Sequence, residues 1–166
     1  MKIILISGKA GSGKSSLANI LKEKLDKCVV TNYSKYIKLF AMEMLNWDGS
    51  DENKPRSFLQ EMGDTLRSIN KNFLTDRMLQ DISVYSKYYD YVVISDVRLV
   101  NELEYFNDKF DTYSIRINNN DNRKKLDNNQ SHHITEVELD NYNKFDLVID
   151  DEEINNNIDK IVEGLK

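Results

Sequence analysis

A short segment near the N-terminus has the residue types of a phosphate-binding loop. Gly8 to Ser15 reads GKAGSGKS, which satisfies the pattern GxxxxGK[ST]. Glycines let the backbone curl so that its N–H groups point at phosphate oxygens, and the N-terminus of the following helix adds partial positive charge. In this pattern Lys14 reaches the β and γ phosphates of a nucleotide, and the Ser15 hydroxyl ligates Mg²⁺. The predicted phosphate contacts are Gly8, Ala10, Gly11, Ser12, Gly13, Lys14, Ser15 and Ser16.

Two other interpretations of this loop are a chance glycine-rich turn and a dinucleotide-binding turn. The match in a strand, loop and helix context makes the chance turn the weaker interpretation. A dinucleotide site needs an acidic residue at the end of the second strand, where Asn32 stands in this chain. The sequence therefore favours a nucleoside triphosphate.

A second group of polar residues follows one face of a helix that the sequence predicts from Pro55 to about Asn70. At about 100° per residue, Arg56, Gln60, Gly63 and Arg67 fall within a sector of roughly 60°. Gly63 costs about 1 kcal/mol relative to Ala inside a helix, which suggests that something approaches the backbone closely there. We interpret this face as an anion site. The alternative is an ordinary solvated face with a tolerated glycine.

An acid and a base follow the buried-type strand predicted from Tyr91 to Ser95. Asp96 and Arg98 stand at its carboxyl end, which is the edge of an open α/β sheet where ligands bind. Asp96 is suited to hold Mg²⁺ directly or through water, and Arg98 to grip a phosphate with two hydrogen bonds. A purely structural Asp96–Arg98 ion pair is the alternative.

The polar stretch from 118 to 131 is longer than an ordinary connection and carries Arg123, Lys124 and Lys125. Such a stretch is typical of a lid that closes over a reacting site, and Arg123 is its candidate for steadying the transferring charge. A disordered tip with solvated lysines explains the same composition.

The remaining pattern alternates short apolar runs with amphipathic helices. Apolar runs predict five strands, at about 3–7, 28–31, 91–95, 112–117 and 146–149. Helices are predicted at about 14–25, 34–45, 55–70, 74–85, 100–106 and 154–165. This order predicts an α/β fold, a three-layer sandwich around a mainly parallel five-stranded sheet, in one domain spanning 1–166.

Composition limits the class of protein. The chain has 166 residues, with 23 Lys and Arg against 28 Asp and Glu and a net charge of −5. Mild acidity argues against binding a nucleic acid polymer, and no apolar run reaches the length of a membrane span. One cysteine, Cys28, in an apolar run is typical of a small buried residue in a reducing compartment. We expect a cytoplasmic enzyme.

Taken together, the chain resembles the phage-type deoxynucleoside monophosphate kinases, a branch of the P-loop kinases that is also similar to the animal-type phosphomevalonate kinases. The likeness extends along nearly the whole chain. Its motifs are GxxGxGKS at Gly8 to Ser15, PRxxLQxxGxxxR at Pro55 to Arg67, DVRxxNE at Asp96 to Glu102, HxTE at His133 to Glu136 and FDxVI at Phe145 to Ile149.

The resemblance implies a P-loop kinase fold and transfer of the ATP γ-phosphoryl group to a deoxynucleoside monophosphate, with Mg²⁺ required. It places the acceptor in a helical region at about 34–87, against Arg56, Gln60, Gly63, Arg67 and Arg98, and the catalytic groups at Lys14, Asp96 and Arg98, with Arg123 as a substitute for the family's lid arginine. The protein is expected to be a monomer or a homodimer.

Two rival functions stay open. The first is a kinase for another phosphorylated metabolite such as phosphomevalonate, since an arginine-lined site recognises phosphate before it recognises a base. The second is a nucleotide-dependent switch. Asn143 to Asp146 matches the guanine motif NKxD by letter, but it precedes a strand instead of following one, and no DxxG occurs.

Overall fold

The computed structural model describes residues 1–119 and 132–165. The strands are β1 (Lys2–Gly8), β2 (Cys28–Thr31), β3 (Tyr91–Val97), β4 (Asp111–Asn118) and β5 (Leu147–Asp150). The helices are α1 (Lys14–Lys24), α2 (Lys35–Leu45), α3 (Arg56–Ile69), α4 (Phe73–Tyr85), α5 (Val100–Glu104), α6 (Ile134–Val137) and α7 (Ile154–Leu165), with 3₁₀ turns at Glu138–Asn141 and Asp151–Glu153.

The five strands form one sheet in the order β2-β3-β1-β4-β5, and every neighbouring pair is parallel. The central strand β1 is apolar without interruption because both of its faces are covered. Ile4 and Ile6 point into the core beneath α1 and α7, while Ile3 and Leu5 point into the core beneath α2, α4 and α5. The predicted three-layer α/β fold with a parallel five-stranded sheet is confirmed.

The carboxyl ends of the strands position the polar residues. The loop of Gly8 to Gly13 joins β1 to α1 there, and β3 and β4 end at the same edge on either side of it. None of the described helices is both long enough and apolar enough to cross a membrane.

The main departure from the predicted elements is at the end of β3. This strand continues two residues beyond the predicted Ser95, so Asp96 lies within it and Arg98 directly follows it. Leu5 pairs with Ile94 but Ser7 pairs with Val97, so β3 carries one extra residue here. Such bulges re-aim side chains next to functional sites.

The helices differ from the prediction in two details, one wrong and one missed. The spacing of the apolar residues in α3 predicts Ile69 on the core face of this helix, but Ile69 is 72% exposed, because the helix ends there and the chain turns toward α4. The short helix α6 and the turn after it were not predicted, since four residues are too few to show a helical period.

Candidate active site

The phosphate loop is closed tightly at its first glycine. Gly8 has a φ of 156°, and a Cβ at this position would lie 2.4 Å from Ser12 Oγ and 2.7 Å from the carbonyl oxygen of Ile117 on β4. Because the second of these atoms belongs to the backbone, no side chain fits without moving the strand. The close approach of the loop to the sheet therefore requires glycine at position 8.

Lys14, the first residue of α1, is folded into the curve of the loop. Its Nζ donates to the carbonyl oxygens of Gly8 at 2.7 Å and Lys9 at 2.6 Å, and lies 3.4 Å from Ser12 Oγ. Burial, and next the nearby Arg98 guanidinium, lower the pKa of Lys14 well below its usual value. Both effects disfavour a lone cation here, so a phosphate placed in the loop would stabilise the charged form.

Asp96 links the end of β3 to the start of α2. Its carboxylate accepts hydrogen bonds from the backbone N–H of Tyr33 at 2.7 Å and of Ser34 at 3.1 Å. The Ser34 hydroxyl also donates to it at 2.6 Å, so Ser34 does not use its side chain to cap α2. Asp96 is therefore held in a fixed orientation at the edge of the sheet.

Arg98 is held from two directions, and neither partner is Asp96. Its backbone N–H donates to Glu102 Oε2 at 2.8 Å, and its guanidinium pairs with Glu136 Oε1 at 2.8 Å. The same Glu102 oxygen accepts from the backbone N–H of Leu99 at 3.2 Å, which fixes the turn into α5. The structural alternative of an Asp96–Arg98 pair is thus not what the structure shows.

Glu102, in α5, is a buried acid with 5% of its surface exposed. Burial, and next the neighbouring Asp96 carboxylate, raise the pKa of Glu102 to about 7. The Tyr33 hydroxyl donates to the Glu102 backbone carbonyl at 2.6 Å. Through these contacts, Glu102 connects the residues that follow β2 to the residues that follow β3.

Three of the four residues predicted on the polar face of α3 line a cavity. Arg56, Gly63 and Arg67 line one cavity with Arg98, whereas Gln60 is half-buried and does not line it. The glycine at position 63 is explained by a side chain of the same helix, because a Cβ there would lie 3.0 Å from Arg67 Nη2. The group that approaches the backbone closely is therefore the Arg67 side chain itself, lying back over the preceding turn of the helix.

Arg67 is oriented by acidic neighbours. Its Nη2 lies 2.7 Å from Asp64 Oδ1, and its Nη1 lies 4.0 Å from Glu102 Oε1. His133 Nε2 contacts the other Asp64 oxygen at 2.8 Å. Burial acts to raise the Asp64 pKa, but the hydrogen bonds with Arg67 and His133 outweigh it and lower that pKa.

Two cavities meet at the carboxyl edge of the sheet. One, of about 330 Å³, lies over the phosphate loop, and the other, of about 140 Å³, lies over α3. Five described residues line both: Lys38, Lys54, Arg56, Asp96 and Arg98. Four of these five are basic, so the wall between the cavities is positively charged although the chain as a whole is acidic.

Sequence reasoning missed the two lysines in this wall. The polar composition of Asp48 to Lys54 predicts a linker, yet Lys54 lines both cavities. Burial, and next the charge of Lys38, lower the pKa of Lys54. Lys38 was seen only as part of α2, where its Nζ contacts Asn32 Oδ1 at 3.2 Å. The available signal was the basic pair flanking Pro55, formed by Lys54 and Arg56.

A third cavity, of about 620 Å³, lies beyond the other side of the loop at the ends of β4 and β5. Arg116 and Lys9 line it and share one acid, since Arg116 Nη2 lies 2.9 Å from Asp140 Oδ1 and Lys9 Nζ lies 2.9 Å from Asp140 Oδ2. Arg116 Nη1 also donates to Ser7 Oγ at 3.0 Å. This network ties the phosphate loop to β4.

The residues proposed to hold Mg²⁺ fit that ion chemically. Ser15 and Asp96 line the same cavity over the loop and present a hydroxyl and a carboxylate oxygen. Mg²⁺ is commonly bound through one or two such protein oxygens, completed by water and substrate phosphate. Arg123 and most of the predicted lid lie outside the described residues.

Comparison with known proteins assigns the chain to a family. Residues 6–112 match the family described as phosphomevalonate kinase, which is more than half of the sequence. The chain belongs to the phosphomevalonate kinase family. The matched part includes the phosphate loop, α3, and the turn with Asp96 and Arg98.

Two individual proteins are also similar to this chain. A UPF0200 protein of Saccharolobus islandicus is 32% identical over 106 residues, which cover 64% of this chain and 50% of that protein. The chain thus spans about half the length of this curated relative. The crystal structure of shikimate kinase from Bacteroides thetaiotaomicron superposes with a TM-score of 0.52 and 14% identity, covering 99% of this chain and 98% of that one. This likeness supports the P-loop kinase fold.

Proposed function

We propose that this protein is a kinase that transfers the γ-phosphoryl group of ATP to a deoxynucleoside monophosphate and releases the diphosphate. The observation that carries the proposal is the positively charged wall shared by the two cavities. A kinase of this type must bring two anionic phosphates together, and a basic wall between their sites offsets their repulsion.

On the donor side, the proposal places the ATP phosphates in the loop from Gly8 to Ser16. The supporting features are the tight closure at Gly8 and the buried Lys14 ammonium inside the curve. The third cavity, which Arg116 and Tyr142 line, takes the nucleoside part of ATP. It adjoins the loop through Lys9, so one ligand can span both.

On the acceptor side, Arg56 and Arg67 bind the phosphate of the monophosphate. Arg56 lines the cavity over the loop and, together with Arg67, also lines the cavity over α3. The same cavity has an apolar wall formed by Ile37, Leu59 and Leu74. This combination suits a molecule with one phosphate and one apolar, flat part such as a base.

Phosphoryl transfer requires mainly alignment of the two substrates and neutralisation of the spreading negative charge. In the proposed reaction, Lys14 faces the donor phosphates and Arg98 stands in the wall between the two sites. Ser15 and Asp96 would hold Mg²⁺, which, when bound, adds charge neutralisation and orients the donor phosphates. Arg123 is proposed to add a further cation.

Phosphomevalonate is the second candidate acceptor, and the family match favours it. The same arginines would bind its phosphate, and Lys38 and Lys54 offer cations for its carboxylate. The two candidates differ in the part of the molecule that faces the apolar wall.

The experiment that tests the proposal is a panel of acceptors with ATP and Mg²⁺: the four deoxynucleoside monophosphates, their ribonucleotide forms and phosphomevalonate. ADP release is measured by a coupled assay, and a reaction without acceptor is the control. We expect ADP release that depends on an added deoxynucleoside monophosphate. Activity with phosphomevalonate alone would establish the second candidate. Slow ADP release at the same rate with every acceptor and without one would identify a nucleotide switch.

A further inference from the structure

A carboxylate already lies between the phosphate loop and Arg98. Glu136, on α6, places Oε1 at 2.8 Å from an Arg98 guanidinium nitrogen, and its Oε2 accepts from the backbone N–H of Ala10 at 3.3 Å. Its side chain is 9% exposed. A single acidic group thus connects the donor loop to the wall that faces the acceptor.

The two groups that Glu136 contacts are the kind that bind phosphate. Backbone N–H groups of such a loop and a guanidinium both donate to anionic oxygens, and a carboxylate can satisfy them in the same way as a phosphoryl group. The charge of Glu136 also acts on Lys14, since it opposes the lowering of the Lys14 pKa that burial and Arg98 cause. Glu136 therefore supplies the negative charge at this place when no substrate does so.

We propose that Glu136 is an internal anion that occupies the position of a substrate phosphate, and that a phosphate entering the loop displaces it from Ala10 and Arg98. This proposal rests on the proposed function, which assigns the loop from Gly8 to Ser16 to the donor phosphates. Displacement frees Arg98 to contact the transferred group.

The residues next to Glu136 connect it to the proposed acceptor site. Thr135 lines the cavity over α3, and His133 contacts Asp64 on that helix. The segment from His133 to Glu136 thus touches the donor loop at one end and the acceptor helix at the other. A donor phosphate that displaces Glu136 would therefore disturb the contacts around Arg67.

The competing role for Glu136 is a permanent structural contact between the loop and Arg98. This role predicts that removing Glu136 weakens phosphate binding. If Glu136 stays bound to Ala10 and Arg98 while ATP is present, its removal loosens the loop and weakens phosphate binding. If Glu136 competes with phosphate, its removal eliminates a like charge and strengthens binding. Weaker binding in the variant therefore identifies a permanent contact, whereas stronger binding together with a ligand-induced gain in the exposure of Glu136 identifies displacement.

The test measures binding of pyrophosphate, and of the β,γ-imido analogue of ATP with Mg²⁺, by calorimetry in the absence of acceptor. Glu136→Gln keeps the size of the side chain and removes its charge. We expect the dissociation constant of both probes to fall about three- to tenfold in this variant. Glu23→Gln, the same change at an exposed site on α1, is the matched control and is expected to bind as the wild type does.

A second measurement uses the unaltered protein and so does not depend on how the variant folds. Carbodiimide labelling of carboxyl groups, read by mass spectrometry, is compared with and without a saturating amount of the imido analogue. We expect labelling of Glu136 to increase at least twofold, with labelling of Glu23 unchanged. Unchanged or reduced labelling of Glu136 would overturn the proposal, as would unchanged or weaker probe binding in Glu136→Gln.

These measurements involve no phosphoryl transfer. A wild-type protein that binds neither probe would overturn the proposed function together with this inference. Binding by the wild type without the expected gain in Glu136→Gln would overturn this inference alone.

Discussion

His133 Nε2 lies 2.8 Å from Asp64 Oδ2, and this contact joins α3 to the segment that enters α6. The two residues are 69 positions apart, so the contact joins distant parts of the chain beside the cavity that Arg67 and Thr135 line. Asp64 uses its other oxygen to hold Arg67. The orientation of the proposed acceptor arginine thus depends on a segment that also carries Glu136.

Replacing Asp64 with Asn should loosen Arg67 without unfolding the protein. Half of the Asp64 side chain is exposed, and exposed ion pairs contribute about 0.2 to 1 kcal/mol to stability. We expect a loss of that size in urea denaturation, decreasing at high salt, and a KM for the acceptor that rises about two- to fivefold. Asp26→Asn, at an exposed turn, should leave both quantities unchanged. An unaltered acceptor KM would show that Asp64 does not position Arg67.

Removing Arg67 itself should affect the acceptor far more than ATP. Loss of a guanidinium contact to phosphate costs about 1.5 to 3 kcal/mol, so we expect Arg67→Ala to raise the acceptor KM about ten- to a hundredfold. Arg67→Lys should recover part of this loss, because a lysine keeps the charge but not the two-pronged geometry. The exposed Lys71→Ala is the charge-matched control. Equal changes in the KM of ATP and of the acceptor would remove Arg67 from the acceptor site.

Gly63 offers a test that separates stability from function. Gly63→Ala should stabilise α3 by up to about 1 kcal/mol through helix propensity. The new Cβ would lie 3.0 Å from the Arg67 guanidinium and push it aside, so the acceptor KM should rise several-fold while the KM for ATP stays constant.

Gly164→Ala is the matched control for Gly63→Ala, because it is also helical and its Cβ would make only an ordinary contact, 3.7 Å from the Tyr113 hydroxyl. We expect it to gain stability without any kinetic change. Thermal unfolding and steady-state kinetics measure both properties. A Gly63→Ala enzyme with normal acceptor kinetics would mean that the glycine serves no purpose at the site.

The loop lysine should be essential for transfer. Lys14→Ala removes the ammonium group that donates to the carbonyls of Gly8 and Lys9, and we expect phosphorylation to fall by at least about a hundredfold, as losses of preorganised charge typically do. Circular dichroism should show that the fold survives. Lys22→Ala, exposed on the same helix, should retain full activity. Near-normal turnover by Lys14→Ala would end the kinase assignment.

The features that could be predicted from the sequence are local ones. The phosphate loop is a pattern within eight residues, and the strands and helices follow from the spacing of apolar side chains. The stripe of Arg56, Gly63 and Arg67 needs only the geometry of one helix. The burial of both faces of β1 follows from its unbroken apolar run.

The features that sequence reasoning missed depend on contacts between distant parts of the chain. Nothing near Ser34 indicates that its hydroxyl donates to Asp96, 62 positions away, instead of capping α2. Glu136 lies 126 positions from Ala10, and its role at the loop needs the fold to be known. The extra residue in β3 also escapes sequence reasoning, because it is defined only by how β3 pairs with β1.

Glu102 provides a prediction about pH. Burial and the Asp96 carboxylate raise its pKa in the folded protein from 4.5 to about 7. Between these two values the folded state holds a proton that the unfolded state has lost, so the free energy of unfolding must fall as pH rises through this window. Above about pH 7 the Glu102 carboxyl is ionised in both the folded and the unfolded state. The free energy of unfolding has then fallen by its full amount, about 3 kcal/mol.

Glu102→Gln isolates this effect because its amide resembles the protonated acid and does not titrate. We expect wild type and variant to have similar stability near pH 4.5, and the variant to be the more stable by about 3 kcal/mol above pH 7. Urea denaturation at pH 4.5, 6 and 7.5 measures the difference, with the exposed Glu61→Gln as the control. A variant that is less stable than the wild type at pH 7.5 would show that the ionised Glu102, accepting from the N–H groups of Arg98 and Leu99, stabilises the turn more than its burial costs.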